Sequence, residues 1–242
     1  MKKVTMVLCL LLAFVGTESV AKQAPFVKGE RHPIDLARDK TSKAEQIIAF
    51  AGVKKGMVIG DIFGGGGYYS ELLNDVVGNT GKVYLHNNQA YMKWVGKQLD
   101  ARLKGDRLTN VIRYDREADD LGFTGNLDEI FYVLGFHDLY HVTEGWQVAA
   151  KPFIKQLHKS LKQGGKLLII DHSAKANSGK KYAQDLHRID AVFVKKTLLD
   201  NGFKFLKQTD ILNNPQDNRM ISVFDKSVRR KTDRFVMLFE KI

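Results

Sequence analysis

The chain has 242 residues, and its hydrophobic share of 44% and charged share of 27% are close to those of soluble globular proteins. This composition excludes disordered and fibrous proteins, and the length favours a single α/β domain. The net charge is +11, but the basic residues are dispersed and no aromatic-interleaved basic motif occurs. We therefore expect no nucleic-acid partner.

The first element predicted along the chain is a signal peptide. Lys2 and Lys3 precede an apolar run at residues 4–15, which is too short to span a membrane. The tripeptide Ser19-Val20-Ala21 supplies the small residues that a signal peptidase requires before the cleaved bond. A retained N-terminal anchor is the alternative.

Cleavage after this tripeptide divides the chain into a signal peptide at residues 1–21 and a mature domain at residues 22–242. We expect a periplasmic or secreted protein without an integral membrane span after cleavage. The only cysteine, Cys9, lies in the segment that would be removed. The mature chain would then have no disulfide, no thiol nucleophile and no cysteine ligand for zinc.

The first helix is predicted from Ser42, which forms a capping box with Glu45, to a stop at Gly52. The apolar residues of its expected buried face are Ala44, Ile47, Ile48 and Ala51. Short apolar runs then predict seven strands, at residues 57–63, 82–86, 110–114, 127–134, 166–171, 203–208 and 234–239.

Helices are predicted between these strands from apolar residues at helical spacing. These residues are Tyr69, Leu72, Leu73 and Val76; Tyr91, Trp94, Val95 and Leu99; and Phe153, Ile154, Leu157 and Leu161. A further helix is expected at about residues 180–200. The alternation of strands and helices indicates a mostly parallel sheet with helices on both faces.

Four consecutive glycines, Gly64, Gly65, Gly66 and Gly67, follow the first predicted strand. Glycines allow a ligand to approach the backbone closely, and the N-terminus of the next helix offers free amides to polar or anionic groups. Because ligands bind beyond the strand ends in open α/β sheets, this loop is a candidate nucleotide-type site. A purely structural tight turn is the alternative.

The loop carries a family resemblance within the segment DIFGGGGYYSELL, which begins at Asp61. With VLGFHDLYH, the DHSA segment at Asp171 and LHRID at Leu186, it resembles the class I S-adenosylmethionine-dependent methyltransferases, in particular a bacterial group of predicted exported members. The resemblance covers residues 31–242. It implies a Rossmann-like, seven-stranded, mostly parallel sheet with an antiparallel last strand, and S-adenosylmethionine as the cofactor.

The resemblance also implies which residues bind the cofactor. These are Asp61, Gly64, Gly65, Gly66, Gly67, Tyr68, Asn87, Asn88 and Asp115. Phe63 stands where the family pattern has its first glycine. Asn87 and Asn88 stand where an acidic residue usually binds the ribose hydroxyls, and an amide can form such bonds without their charge. Asp115 matches the position that faces the adenine amino group.

His137 and Asp138 follow the fourth predicted strand and are the predicted catalytic residues. Methyl transfer chiefly requires in-line placement of the reactants, and either side chain could accept a proton from the attacking atom. A capping or packing role is the alternative for His137. On the methyltransferase prediction, no residue is assigned as a metal ligand.

Histidines near two strand ends support a rival hypothesis. His137, His141 and His172 could bind zinc or another transition metal, as in a metal-dependent hydrolase. His187, Arg188 and Asp190 are expected on the late helix, either near the substrate or on a solvated surface. A nicotinamide dehydrogenase is disfavoured because no acidic residue follows the glycine loop at the required spacing.

The sequence therefore predicts an exported S-adenosylmethionine-dependent methyltransferase that acts on a small-molecule or envelope-associated acceptor. Two alternatives are a metal-dependent hydrolase and a non-catalytic binding domain that has kept the fold, since fold alone does not determine function. The sequence leaves the oligomeric state open.

N-terminal sequencing of the protein isolated from an envelope fraction tests the predicted export. We expect the chain to begin at Lys22, because cleavage should follow Ala21. An intact Met1 on cytosolic protein would contradict the prediction.

Overall fold

The computed structural model describes residues 31–105, 107–146 and 148–242. The predicted signal peptide at residues 1–21 lies outside this range. The strands are β1 (Val58–Ile62), β2 (Lys82–Asn87), β3 (Val111–Asp115), β4 (Leu127–Val133), β5 (Leu161–His172), β6 (Phe203–Thr209) and β7 (Arg234–Lys241). The helices are α1 (Pro33–Ser42), α2 (Ala44–Ala51), α3 (Tyr68–Val77), α4 (Gln89–Leu103), α5 (Ala150–Ser160), α6 (Ala183–Leu186) and α7 (Ala191–Leu199).

All seven strands form one sheet in the order β3-β2-β1-β4-β5-β7-β6. The pairs from β3 to β5 are parallel, whereas β7 runs antiparallel to β5 and β6. This arrangement confirms the predicted sheet with its antiparallel last strand. The chain order reverses between β1 and β4, so their carboxyl ends flank the crevice where doubly wound sheets bind ligands.

Helices cover both faces of the sheet, as predicted. On one face, α2 and α3 bury Ile47 and Leu72 against Phe131 of β4. On the other face, α5 and α7 contribute Phe153 and Val194 to a second apolar cluster. Within the described residues, no helix is long and apolar enough to cross a membrane.

The predicted capping box at Ser42 is wrong, because Ser42 is the last residue of α1. Its hydroxyl accepts a hydrogen bond from Nε of Arg38 at 3.4 Å. Lys43 adopts a left-handed conformation with φ 44° and turns the chain into α2, which has no side-chain cap. The predicted buried face of α2 and its end at Gly52 are confirmed.

Three further expectations about helices are corrected. Trp94 is not on a buried face, since 88% of it is exposed. Leu161 is buried at the start of β5 rather than at the end of α5. The single helix expected at residues 180–200 is divided into α6 and α7, because His187 has a positive φ of 53° and the Asp190 side chain caps α7 by accepting from the Val192 amide.

Glu129 of β4 is fully buried, and both of its carboxylate oxygens lack a hydrogen-bond partner among the described residues. Burial raises its pKa from 4.5 to about 8, against the opposing charges of Lys166 and Lys207. Asp128 raises the pKa further. The folded chain therefore keeps a proton that the unfolded chain releases between these two pKa values.

This difference predicts a pH dependence of stability. The contribution of Glu129 to the free energy of unfolding should fall by up to about 1.4 kcal/mol per pH unit as the pH rises through this interval. Glu129→Gln cannot ionise and should lack this decline, whereas exposed Glu45→Gln should behave like the parent. Urea unfolding of the three proteins at about pH 5 and about pH 8 measures the effect. Equal pH dependence in all three would contradict the prediction.

Candidate functional site

The glycine loop links β1 to α3 and is tightly packed at three of its four glycines. A Cβ atom would lie 2.6 Å from the Asp61 carboxylate at Gly64, 2.5 Å from Gln98 at Gly66 and 2.8 Å from Leu85 at Gly67. At Gly65, the nearest atom to such a Cβ is Cγ1 of Val95, at 3.9 Å. Packing thus explains Gly64 and Gly67, whereas the atoms near Gly66 belong to the flexible end of Gln98. At Gly65, a Cβ atom would make only an ordinary van der Waals contact.

Asp61 is buried beneath this loop and accepts a hydrogen bond from the Ser70 hydroxyl at 2.6 Å. Burial raises its pKa to about 6, although the hydrogen bonds from Ser70 act in the opposite direction. Asp61 therefore fixes the first turn of α3 relative to β1. Tyr68, the first residue of α3, is also buried, and its hydroxyl donates to Asp39 at 2.6 Å.

The amide of Asn87, at the end of β2, is engaged with the glycine loop. Its Oδ1 accepts from the Gly65 amide at 2.9 Å, and its Nδ2 donates to the Gly65 carbonyl at 3.0 Å. Asn88 caps α4 by accepting from the Tyr91 amide at 3.0 Å. Asp115 is half-exposed and pairs with Nε of Arg113 at 2.6 Å. The structure thus brings Asn87 to the loop. That Asn87, Asn88 and Asp115 contact the cofactor stays a prediction.

Phe63 stands at the start of the glycine loop and has a left-handed φ of 51°. Its ring centroid lies 5.2 Å from Tyr91, 5.0 Å from Trp146 and 5.4 Å from Phe153. The ring is therefore buried among aromatic side chains, and this burial offsets a backbone cost of about 1–2 kcal/mol. His86 also contacts Phe63, and burial lowers the pKa of His86 to about 4.

A cavity of about 600 Å³ lies beside this aromatic cluster. Its lining residues are Ala90, Tyr91, Lys93, Trp94, Asp138, His141, Thr143, Glu144, Gly145 and Trp146. Tyr91 and Trp146 both line the cavity and contact Phe63. Two aromatic side chains thus lie both at the cavity and against Phe63 at the start of the glycine loop.

His137 begins a short 3₁₀ turn after β4 and is held by Asp171 at the end of β5. Its backbone amide donates to Oδ2 of Asp171 at 2.8 Å, and its Nδ1 lies 2.7 Å from Oδ1. Its Nε2 lies 3.2 Å from Oδ1 of Asp138 and 3.3 Å from Nδ1 of His187. The two predicted catalytic residues are therefore adjacent, and they lie next to His187, for which a place near the substrate was one of the expectations.

Charges around His137 oppose the effect of its burial. Burial lowers the pKa of His137, but Asp171 and Asp138 outweigh it and raise the pKa to about 10. Burial raises the pKa of Asp138, and His137 and His187 reverse this effect, so that the net shift is downward. His137 and Asp138 consequently form an ion pair at neutral pH, and the proton-acceptor role of either residue stays a prediction.

The histidines proposed for a metal-dependent hydrolase do not form a single cluster. The ring of His172 is 6.0 Å from that of His137, and its Nδ1 contacts the Thr232 hydroxyl at 2.7 Å. His141 instead lies beside His187, with ring centroids 4.5 Å apart. Among the residues that the structure describes, the group whose ligand atoms converge within 4.8 Å is His137, Asp138 and His187. In the sequence, the only indication of this role for His187 was its place in LHRID.

Arg188 positions His187 from inside the protein and is fully buried, so its expectation as solvated surface is wrong. Its guanidinium pairs with Asp217 at 2.8 Å and donates to the carbonyl oxygens of Ser173 and Ile221 at 3.1 Å and 2.9 Å. These contacts attach the turn between α6 and α7 to the end of β5 and to the loop before β7.

Loss of this buried ion pair should strongly destabilise the fold. Arg188→Met would leave the Asp217 carboxylate buried and unpaired, at a cost of about 3–5 kcal/mol. Lys196→Ala removes an exposed pair with Asp200 and should cost less than about 1 kcal/mol. Denaturant unfolding of both variants measures the difference, and similar losses would refute the structural role of Arg188.

A family pattern and several known proteins match this chain. The ubiE/COQ5 methyltransferase family pattern matches residues 34–229. The chain is 26% identical over 191 residues to the ubiquinone/menaquinone biosynthesis C-methyltransferase UbiE of Pseudomonas aeruginosa, which covers 76% of this chain and 70% of that protein. It is 27% identical over 192 residues to UbiE of Pseudoalteromonas translucida, with coverages of 77% and 72%.

Solved structures share the fold at lower identity. A SAM-dependent methyltransferase from Aquifex aeolicus superposes with a TM-score of 0.62 at 21% identity, covering 85% of this chain and 93% of that chain. The [4+2]-cyclase SpnF superposes with a TM-score of 0.59 at 14% identity, with coverages of 83% and 80%. A cyclase is thus among the proteins with this fold, and the reaction must be argued from the site.

Proposed function

The chain belongs to the ubiE/COQ5 methyltransferase family, and from this membership we propose that it is an exported S-adenosylmethionine-dependent methyltransferase. The acceptor would be a small molecule or an envelope-associated molecule. The periplasmic or secreted location rests on the N-terminal sequence pattern, with lysines before a short apolar run.

One observation carries the proposal: two aromatic side chains belong both to the cavity lining and to the packing around the start of the glycine loop. Tyr91 and Trp146 contact Phe63 at the start of the loop and also line the cavity. Methyl transfer depends on holding two reactants at a short distance and in line. Because Tyr91 and Trp146 reach both places, a cofactor on the loop and an acceptor in the cavity would be neighbours, and in-line transfer would require the acceptor to reach past the edges of these two rings.

The loop residues fit such a cofactor. Gly65 has a φ of 60°, the nearest atom to an added Cβ there is 3.9 Å away, and Asn87 fixes both its amide and its carbonyl. The following N-terminus of α3 presents backbone amides to polar or anionic groups. Gly65 and Gly67 would lie along the methionine part, and Asn88 and Asp115 would contact the nucleoside. When bound, S-adenosylmethionine supplies an electrophilic methyl group on sulfur.

The cavity provides groups for an acceptor. Its aromatic walls, Tyr91, Trp94 and Trp146, suit an apolar or planar molecule. The Asp138 carboxylate also lines the cavity and receives the Tyr91 hydroxyl on Oδ2 at 3.2 Å. We assign Asp138 to contact the attacking group of the acceptor, and His137 to orient that carboxylate.

Gly65→Ala tests whether the space beside Gly65 belongs to the cofactor. The added methyl would occupy this space, so we expect at least about tenfold weaker binding of S-adenosylmethionine, or about 1.4 kcal/mol. Gly105→Ala is the matched control, because Gly105 also has a positive φ, 82°, with nothing within 4 Å of an added Cβ. Calorimetric titration of the parent and both variants measures the affinities.

Gly105→Ala shows how much cofactor affinity is lost when an alanine is placed at a positive φ away from the ligand. Any further loss in Gly65→Ala then reports the space that the cofactor needs. Gly105→Ala should bind S-adenosylmethionine within about twofold of the parent, since no loop atom lies within 4 Å of the added Cβ. If the parent does not bind the cofactor, or if both variants bind as the parent does, the proposed function is refuted.

A further inference from the structure

Three ligand atoms converge at the end of β4 around one point. Nε2 of His137 is 3.2 Å from Oδ1 of Asp138 and 3.3 Å from Nδ1 of His187. The distance from Nδ1 of His187 to Oδ1 of Asp138 is 3.6 Å. The three atoms form a nearly equilateral triangle, one edge of which joins two imidazole nitrogens.

A positive charge must lie among these three atoms, and either a proton on Nε2 of His137 or a bound cation can supply it. Because Nδ1 of His137 faces the Asp171 carboxylate, it carries a hydrogen, and Nε2 is left to face the other two atoms. A carboxylate oxygen has only lone pairs to offer. In the absence of a cation or an extra proton, the lone pairs of His137 and Asp138 would face each other in a buried place.

The side lengths match those between the ligands of a small transition ion. Zinc binds imidazole nitrogen and carboxylate oxygen at about 2.0–2.2 Å, and a tetrahedral angle then separates two ligand atoms by about 3.3–3.5 Å. The observed separations of 3.2, 3.3 and 3.6 Å are close to this range. A proton could bridge only one pair at a time, whereas an ion at the centre engages all three.

Other residues hold these side chains in the orientation that metal ligands need. Asp171 fixes His137 through Nδ1, the arrangement of the carboxylate partners of zinc-binding histidines. Tyr91 occupies Oδ2 of Asp138 and leaves Oδ1 directed at the triangle. The Trp146 indole donates to the Asp138 carbonyl at 2.8 Å and fixes the backbone there.

His187 reaches the triangle at a conformational cost. Its φ of 53° is left-handed, which costs a non-glycine residue about 1–2 kcal/mol. The fully buried Arg188 next to it holds this turn in place. Strain of this kind persists where surrounding contacts enforce it and is concentrated at functional sites. Glycine would adopt this φ without strain, so backbone conformation alone does not favour histidine here.

We propose that His137, Asp138 and His187 bind one divalent first-row transition ion of the zinc type. Two imidazoles and one carboxylate suit such ions, whereas magnesium and calcium prefer all-oxygen sites. The fourth position would face the cavity, since Asp138 and the adjacent His141 line it. Nδ1 of His141 is buried without a hydrogen-bond partner among the described residues, so a polar ligand would find a partner there. This inference stands independently of the methyltransferase proposal.

Cobalt(II) is a suitable probe, because its visible absorption reports tetrahedral binding by nitrogen and oxygen. We expect the chelator-treated chain to bind one equivalent of Co²⁺ with these bands, and Zn²⁺ to abolish them by displacement. Magnesium at the same concentration should leave them unchanged. A chain that binds no Co²⁺ would overturn the proposal and leave a proton as the occupant of the triangle.

Three variants and one control locate the site. His187→Gly removes a ligand while accommodating the positive φ, and it should abolish the tetrahedral bands. Asp138→Asn should weaken Co²⁺ binding at least about tenfold, and Asp171→Asn, which acts through His137, by about 10–100-fold. His158→Ala removes a histidine at the end of α5, which contacts the Ile242 carbonyl, and should bind Co²⁺ like the parent.

The folding of each variant is verified by circular dichroism. If His187→Gly does not fold, Asp138→Asn still decides the matter. The proposed site would be overturned if the folded His187→Gly or Asp138→Asn variant bound Co²⁺ as tightly as the parent. It would also be overturned if His158→Ala lost as much Co²⁺ affinity as these variants. Titration of the metal-free chain with S-adenosylmethionine separates the two proposals. A chain that binds the cofactor but not Co²⁺ refutes only the metal site. A chain that binds Co²⁺ but not the cofactor refutes only the methyltransferase proposal.

Discussion

The carboxylate of Asp171 is buried at the end of β5 and accepts hydrogen bonds from three N–H groups. Two come from the backbone amide and the ring of His137, and the third comes from the backbone amide of His172. Burial of a carboxylate without such partners would lower the stability of the fold by several kcal/mol. The fold therefore requires these hydrogen bonds to Asp171. They hold the end of β4 against the end of β5. The positions of His137, Asp138 and His187 all depend on this attachment.

A second buried network holds the other side of the crevice. Arg102 of α4 contacts the Gly66 carbonyl and Glu71 of α3, and it pairs with Asp35 of α1 at 2.7 Å. The guanidinium therefore joins the glycine loop to three helices. The charge of Arg102 compensates those of Asp35 and Glu71. Separation of α4 from the loop would therefore leave these buried carboxylates without a counter-charge. The loop is thus shaped by its neighbours before any ligand binds.

Much of this arrangement could be predicted from sequence because it depends on local patterns. Alternating apolar runs gave the seven strands, and the glycines after β1 gave the loop. The exposed Trp94 and the broken helix at His187 could not be predicted, because helical spacing does not reveal which face a partner covers or which turn tertiary contacts enforce. Likewise, the hydrogen bonds of Asn87 to Gly65 connect residues that are distant in sequence but adjacent through β-sheet pairing.

Tyr91 connects the two parts of the site. Its ring lies against Phe63 of the loop, and its hydroxyl donates to Asp138 of the histidine cluster. Phe63 therefore has a consequence beyond the loop, because Tyr91 packs against its ring. Tyr91 in turn donates to Oδ2 of Asp138, and Oδ1 faces His137 and His187. One packing contact and one hydrogen bond thus join the glycine loop to the histidine cluster, and the shared fold alone specifies neither.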